Sequence, residues 1–150
     1  MAGMRLRSLL FVPGDRPERF PKAAASGADA LILDLEDSVA ADRKVFARQA
    51  IRDALSETAR AAPFLIRINP LDSAFIEDDL DALAGARPDA IVLPKAEGAA
   101  SVAALDVRLN ARGLDHVPLL PIATETPAAM FMLGSYREVA ARLLGLSWGA

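Results

Sequence analysis

Cysteine is absent from the 150-residue chain, histidine, tryptophan and tyrosine occur once each, and aromatic residues make up only 5%. Without a thiol, disulfides, thiolate nucleophiles and cysteine-ligated metals are all excluded, while the compartment stays open. With so few rings there is no platform on which bases could stack; Phe11, Trp148 and the Met130–Leu133 cluster read as packing groups. There is no long run of like charge: 17 basic residues are scattered among 20 acidic ones, the formal net charge is −3 and the pI is about 5.2. The basic stripe that tracks a phosphate backbone is therefore missing, and no nucleic-acid partner is expected. Long apolar runs are lacking too. Leu9–Val12 is far too short for a signal or membrane core and leads straight into Pro13-Gly14, so no membrane association and a cytoplasmic location are expected. The lone His116 falls ahead of an apolar stretch, away from the chemically interesting positions, and is expected to be structural or exposed.

What is present is a globular composition, 53% hydrophobic and 25% charged, sufficient for one core and a single domain over residues 1–150. Five apolar runs stand out: LILDLED at 31–37, FLIRIN at 64–69, IVLPK at 91–95, LLPIATE at 119–125 and LLGLSW at 143–148. The first four stop on a charged or strongly polar group. Short apolar stretches alternate with segments of helical period, repeating at roughly 25–35 residues, which is the pattern of successive βα units. Strands are predicted at Ser8–Val12, Ala30–Leu35, Phe64–Ile68, Ala90–Leu93, about Val117–Ala123 and Leu143–Trp148. Between them, a helix opens at Pro17 and stops near Gly27, distorted by Pro21. Ala47, Ala50, Ile51, Ala54, Leu55 and Thr58 form the apolar face of a second helix, with Arg43, Lys44, Arg48, Arg52 and Glu57 on its solvated side. A short helix spans about Phe75–Leu83, and another carries Val102, Leu105 and Leu109 on one face and closes at Gly113. Thr126-Pro127 is an N-cap with a first-turn proline, and Ser135 to Glu138 has capping-box spacing.

Six parallel strands fit either an open doubly wound sheet or an interrupted barrel. In an open sheet, functional groups gather at one switch point; here polar groups follow the second, third, fourth and fifth strands alike, and no GxGxxG or GxxxxGK turn follows the first. The predicted fold is α/β, a (β/α)8 barrel represented by about six βα units. At its rim, Asp34 and Glu36 share one face of their strand while Asp37 points away and, with Ser38, can simply cap a helix. Arg67 lies within an apolar strand, where a permanent cation needs an anion; Glu36 is one internal choice and a substrate carboxylate or carbonyl the other. Lys95 is either the solvated end of a strand or a pocket residue. Glu125 stands directly before a helix amino end that favours its anionic form, and Mg²⁺ commonly takes one or two protein carboxylates plus water and substrate oxygens.

At these residues the chain resembles the HpcH/HpaI aldolase/citrate lyase family, most closely its CitE-like (citrate lyase beta subunit-like) branch. The matching pieces are RSLLFVPGDRPERF at 7–20, DALILDLEDSV at 29–39, IRIN at 66–69, IVLPKAE at 91–97, PIATETP at 121–127 and GLSWGA at 145–150, in the family's order and spacing. The resemblance implies a (β/α)8 barrel, usually homotrimeric. It implies a Mg²⁺-dependent carbon–carbon lyase that cleaves 3-hydroxyacyl-CoA thioesters of the citryl-, malyl- or citramalyl-CoA type to an acyl-CoA and a 2-oxo acid. In that pattern Arg67, Glu36 and Lys95 are catalytic, Arg67 and Glu125 bind substrate, and Glu125 ligates the metal. A metal-dependent pyruvate aldolase of the same superfamily and a non-catalytic fragment are the alternatives. In the family an acidic pair following GLSWGA supplies a second metal ligand, an aspartate, and further strands follow. The chain is accordingly expected to be the amino-terminal part of the barrel domain, with unpaired edges, weak Mg²⁺ binding and poor solubility or activity alone.

Overall fold

A computed structural model describes residues 5–57 and 59–149. Thr58, expected on the apolar helix face, lies outside the described residues, as do residues 1–4 and Ala150, the last residue of the GLSWGA motif. Five parallel strands form one sheet: β1 (Leu9–Pro13), β2 (Ala30–Asp34), β3 (Phe64–Arg67), β4 (Ala90–Leu93) and β5 (Leu119–Pro121). Their order in space is their order in the chain, β1-β2-β3-β4-β5. A doubly wound sheet must reverse direction at a switch point. No reversal occurs, so the sheet is an incomplete (β/α)8 barrel, as the rim pattern predicted.

Alternation of side chains sorts the strands into two faces. Leu31, Leu33, Phe64, Ile66, Ile91 and Leu93 pack with helical residues in the larger core; Ala30, Ile32, Leu65, Ala90, Val92, Leu120 and Ile122 form a smaller cluster that contains no helical residue. Asp34 continues the Ala30, Ile32 row and Arg67 follows Leu65, so both leave the sheet on the helix-free side at its carboxyl ends.

The helices are α1 (Phe20–Ala24), α2 (Lys44–Ser56), α3 (Ile76–Leu83), α4 (Ala99–Asn110) and α5 (Pro127–Met132), with 3₁₀ turns at Pro17–Arg19 and Ala41–Arg43 and a longer 3₁₀ stretch at Leu133–Arg142. Pro21 costs little because it falls in the first turn of α1, where its missing N–H has no helical partner to lose. Helix α4 buries Val102, Leu105 and Leu109, and Gly113 at φ +70 closes it. The Thr126 hydroxyl accepts from the Ala129 N–H, forming the predicted N-cap of α5.

Five expectations are corrected. Lys44 and Arg48 are not on the solvated face of α2 but buried, because their charged ends find carbonyl and carboxylate partners inside. Strand β5 is shorter than predicted, preceded by Pro118 and ending on Pro121, neither of which offers an N–H to a ladder. The sixth strand is reduced to two isolated parallel bridges, Leu119↔Leu143 and Ile122↔Ser147, separated around Gly145. No capping box forms at Ser135; its hydroxyl instead accepts from Ala99 N–H (2.9 Å) and donates to the Met132 carbonyl (2.7 Å). Phe131 and Trp148, read as packing groups, are 89% and 78% exposed, because only Ala129 of α5 turns inward and Trp148 follows the last bridge. His116 is exposed, as expected.

Candidate active site at the carboxyl ends of the strands

The site begins with a register. Asp34 and Arg67 are cross-strand partners, each the last residue of its strand, so their side chains rise together. Arg67 grips Asp34 in a two-pronged pair, Nε to Oδ1 at 2.6 Å and Nη2 to Oδ2 at 2.7 Å. Asp34, 0% exposed, also accepts from the amides of Glu36 (2.9 Å) and Ser38 (3.0 Å) and from the Ser38 hydroxyl. Burial alone would push its carboxyl upward; the hydrogen bonds from Arg67, Ser38 and Glu36 outweigh that and hold it below the usual carboxylate range. The ring of Phe11, on β1, stacks on the guanidinium with its centroid 4.7 Å away.

Glu36 lies between two cations. Its Oε1 accepts from Lys95 Nζ at 2.7 Å, and its Oε2 is 3.0 Å from Arg67 Nη1. The second approach is charge attraction without hydrogen-bond alignment, so Oε2 is a buried oxygen with an unfilled acceptor. Burial, the largest influence, raises the Glu36 pKa above its ordinary value despite Lys95 and Arg67, and Asp37 adds repulsion. The hydrogen bond to Glu36 raises that of Lys95 in turn. Asp37 stays at the margin, 4.0 Å from Lys95 and largely exposed.

Lys95 has φ +51, the sole non-glycine positive φ among the described residues. Such a conformation costs on the order of 1–3 kcal/mol and needs surrounding structure to hold it. It lets one residue serve two carboxylates: the side chain reaches Glu36, while the backbone N–H donates to Glu125 Oε2 at 2.6 Å. The loop beyond is fastened by Tyr136, whose buried hydroxyl accepts from Gly98 N–H and donates to the Ala96 carbonyl, each 3.2 Å. Glu125 is flanked by Thr124, whose hydroxyl donates to the Gly149 carbonyl (2.6 Å) and accepts from the Gly149 N–H (2.9 Å). A side chain at 149 would run into Ile122 and crowd Glu125, so glycine is required where the chain passes the carboxylate.

Arg67, Glu36, Lys95 and Glu125 are thus brought together in one continuous chain of contacts. The internal pairing of Arg67 includes Asp34, which sequence reasoning did not select, as well as Glu36; the signal was available, since both residues end adjacent strands. Tyr136 carried no signal beyond being the single tyrosine. Asp34 and Glu36 are already matched to Arg67 and Lys95; Glu125 keeps the Lys95 amide on Oε2 and has Oε1 left with which it could hold a divalent cation. No group of three or more His, Cys, Asp or Glu side chains converges among the described residues, so water and a bound ligand would complete an octahedron here.

A cluster of charged side chains at the carboxyl rim of a sequentially ordered parallel sheet is the arrangement of the barrel class. The family model for HpcH/HpaI aldolase/citrate lyase matches residues 7–114, and the chain belongs to that family. It is similar to the citrate lyase subunit beta-like protein of Mycobacterium tuberculosis (strain ATCC 25618 / H37Rv), 43% identical over 143 residues, 94% of this chain and 46% of the relative. It is also 37% identical over 147 residues to a (3S)-malyl-CoA thioesterase of Cereibacter sphaeroides (strain ATCC 17025 / ATH 2.4.3), 95% of this chain and 48% of that protein. Among solved structures, protein CitE from M. tuberculosis in complex with magnesium and acetoacetate superposes with a TM-score of 0.79 at 38% identity, covering 100% of this chain and 57% of that one. The chain spans about half the length of the curated relatives it matches.

Proposed function

We propose that this chain forms the amino-terminal part, residues 1–150, of a Mg²⁺-dependent carbon–carbon lyase acting on 3-hydroxyacyl-CoA thioesters of the citryl-, malyl- or citramalyl-CoA type. The reaction is a retro-Claisen cleavage: the 3-hydroxyl gives its proton to solvent, the C2–C3 bond breaks with its electron pair passing into the thioester enolate, and the enolate carbon takes a proton back from solvent, leaving an acyl-CoA and a 2-oxo acid. The observation that carries the reading is the Arg67–Glu36–Lys95 chain joined through the Lys95 backbone to Glu125. The names of the relatives supply the substrate class, and the magnesium-bound homologue supplies the ion.

Each side chain has a part. Arg67 spends Nε and Nη2 on Asp34, and its Nη1, 3.0 Å from Glu36 Oε2 without an aligned hydrogen bond to it, is left to meet an anionic oxygen of the 2-oxo acid. Glu36 and Lys95 keep that guanidinium in place and line the pocket. Glu125 binds the metal and, through it, substrate oxygens; when bound, Mg²⁺ supplies a Lewis acid for the oxygens on which charge develops. A homotrimeric assembly and a cytoplasmic location fit this reading, since the charged nucleotide of a CoA thioester keeps it in the compartment where it is made.

The test is to incubate the purified protein, with the remainder of the barrel present, with Mg²⁺ and malyl-CoA or citryl-CoA and to quantify acetyl-CoA, free CoA and the 2-oxo acid separately. Equimolar acetyl-CoA and 2-oxo acid support the lyase. Pyruvate released from a CoA-free 4-hydroxy-2-oxo acid instead would identify a pyruvate aldolase, and free CoA without carbon–carbon scission a thioesterase.

A further inference from the structure

Behind the rim lies a second polar cluster that the lyase reading leaves unused. Lys44 opens α2, is only 6% exposed, and points its ammonium at the end of β2: Nζ donates to the carbonyl of Leu35 at 2.7 Å and to that of Glu36 at 3.1 Å. The Leu35 carbonyl receives a second bond from Asn69 Nδ2 at 2.9 Å. Asn69 is in turn held by the fully buried Asp79, which accepts from its side chain (2.6 Å), from its backbone N–H (2.8 Å) and from Arg48 Nε (2.8 Å). The Phe75 ring faces the Lys44 ammonium at 5.1 Å.

Burying an ammonium costs several kcal/mol, and an apolar residue would fit the same helix face without that cost. What the ammonium achieves is local. Where β2 ends, the Asp34 carbonyl is taken by the Gly14 N–H at 2.8 Å, while the Leu35 and Glu36 carbonyls turn toward α2. A trans peptide sets its C=O and N–H on opposite sides. Drawing the Leu35 carbonyl toward Lys44 therefore presents the Glu36 N–H to Asp34 Oδ1, the 2.9 Å bond found in the site. The Glu36 backbone is pinned from both sides, and its carboxylate emerges between Lys95 and Arg67.

We propose that Lys44 is a positioning residue for the active site: from behind the strand it holds the Leu35 and Glu36 carbonyls, and so fixes where the Glu36 carboxylate stands between Lys95 and Arg67. The proposal rests on the lyase reading for its catalytic consequence, but not for its structural one. Asn69 is the second support of the same carbonyl.

Two measurements on Lys44→Met, and on Asn69→Ala as a variant that keeps the buried charge, separate the outcomes. In amide hydrogen exchange, the Glu36 and Ser38 amides that bond Asp34 should exchange at least tenfold faster in both variants, with the interior amides of α2 changed less than threefold. In steady-state kinetics, Lys44→Met should lower kcat ten- to a hundredfold with KM within about twofold, and Lys44→Arg, which keeps the donors, should recover part of kcat. Uniformly faster exchange across α2 and the strands, or an unchanged Glu36 amide, overturns the proposal. Wild-type protein with the whole barrel present and no lyase turnover defeats the lyase reading alone, because the exchange result still decides whether Lys44 positions Glu36. If Lys44→Met does not fold, Asn69→Ala decides by the same exchange criterion.

Discussion

Replacing Asp34 with asparagine tests whether the rim is organised by charge or merely filled. The carboxylate accepts five hydrogen bonds, from Arg67 Nε and Nη2, the Glu36 and Ser38 amides, and the Ser38 hydroxyl. Asparagine accepts on one atom and donates on the other. If its NH₂ occupies the Oδ1 position it faces Arg67 Nε and the Glu36 amide; in the other flip it faces Arg67 Nη2 and the Ser38 amide. Either way two donors confront a donor, and a buried guanidinium loses its counter-ion. Breaking a buried pair by removing one partner costs about 3–5 kcal/mol. For a domain of this size that corresponds to a fall in Tm on the order of 10 °C.

Urea unfolding followed by far-ultraviolet circular dichroism measures the loss directly. The pH dependence supplies a sign check. The Asp34 pKa is lower in the folded protein than its ordinary 3.8, so the stability it contributes is complete above that value and disappears as pH falls through the folded pKa. The gap between wild type and Asp34→Asn should therefore be constant near neutrality and begin to close only below about pH 4. A loss under about 1 kcal/mol at pH 7, or a gap that widens in acid, would refute this account of the rim.

Three further outcomes are expected. Glu125→Gln should cut Mg²⁺-dependent turnover at least a hundredfold while moving Tm by less than about 3 °C, because glutamine can still accept the Lys95 amide; equal turnover would remove Glu125 from the metal site. Lys95→Gly should be more stable than Lys95→Ala by about 1 kcal/mol in denaturant unfolding, since only glycine adopts φ +51 freely, though both should lose activity with the ammonium. Tyr136→Phe should cost about 1–3 kcal/mol and raise hydrogen exchange at Gly98, whose amide loses its acceptor.

The sequence made the architecture legible because each strand is a short apolar block ending in a polar break: Ala90–Leu93 was located to the residue, and the other strands of the sheet to within two. Thr126-Pro127 was equally plain, because an N-cap is a purely local device. The failures in α2 and in the sixth run are non-local. Helical period alone assigns Lys44 and Arg48 to solvent, since their partners, the Leu35 and Glu36 carbonyls and Asp79, arrive from other elements. The sixth apolar run looked like its predecessors yet keeps only two bridges, because a strand is completed by its neighbours. In the site, all four selected side chains converge. Their linkage through Asp34 and through the Lys95 backbone depends on register and on one torsion angle, neither of which has a residue-type signature.

Because the sheet is laid down in chain order, the site has a direction in time as well as in space. A ribosome delivers Asp34 first and Arg67 only 33 residues later; Glu36 waits 59 residues for Lys95, and the Lys95 amide 30 more for Glu125. Asp34 and Glu36 must therefore remain hydrated on the nascent chain until later strands bring their cations. Desolvation of the pocket can proceed only as fast as translation supplies counter-charge, one βα unit at a time.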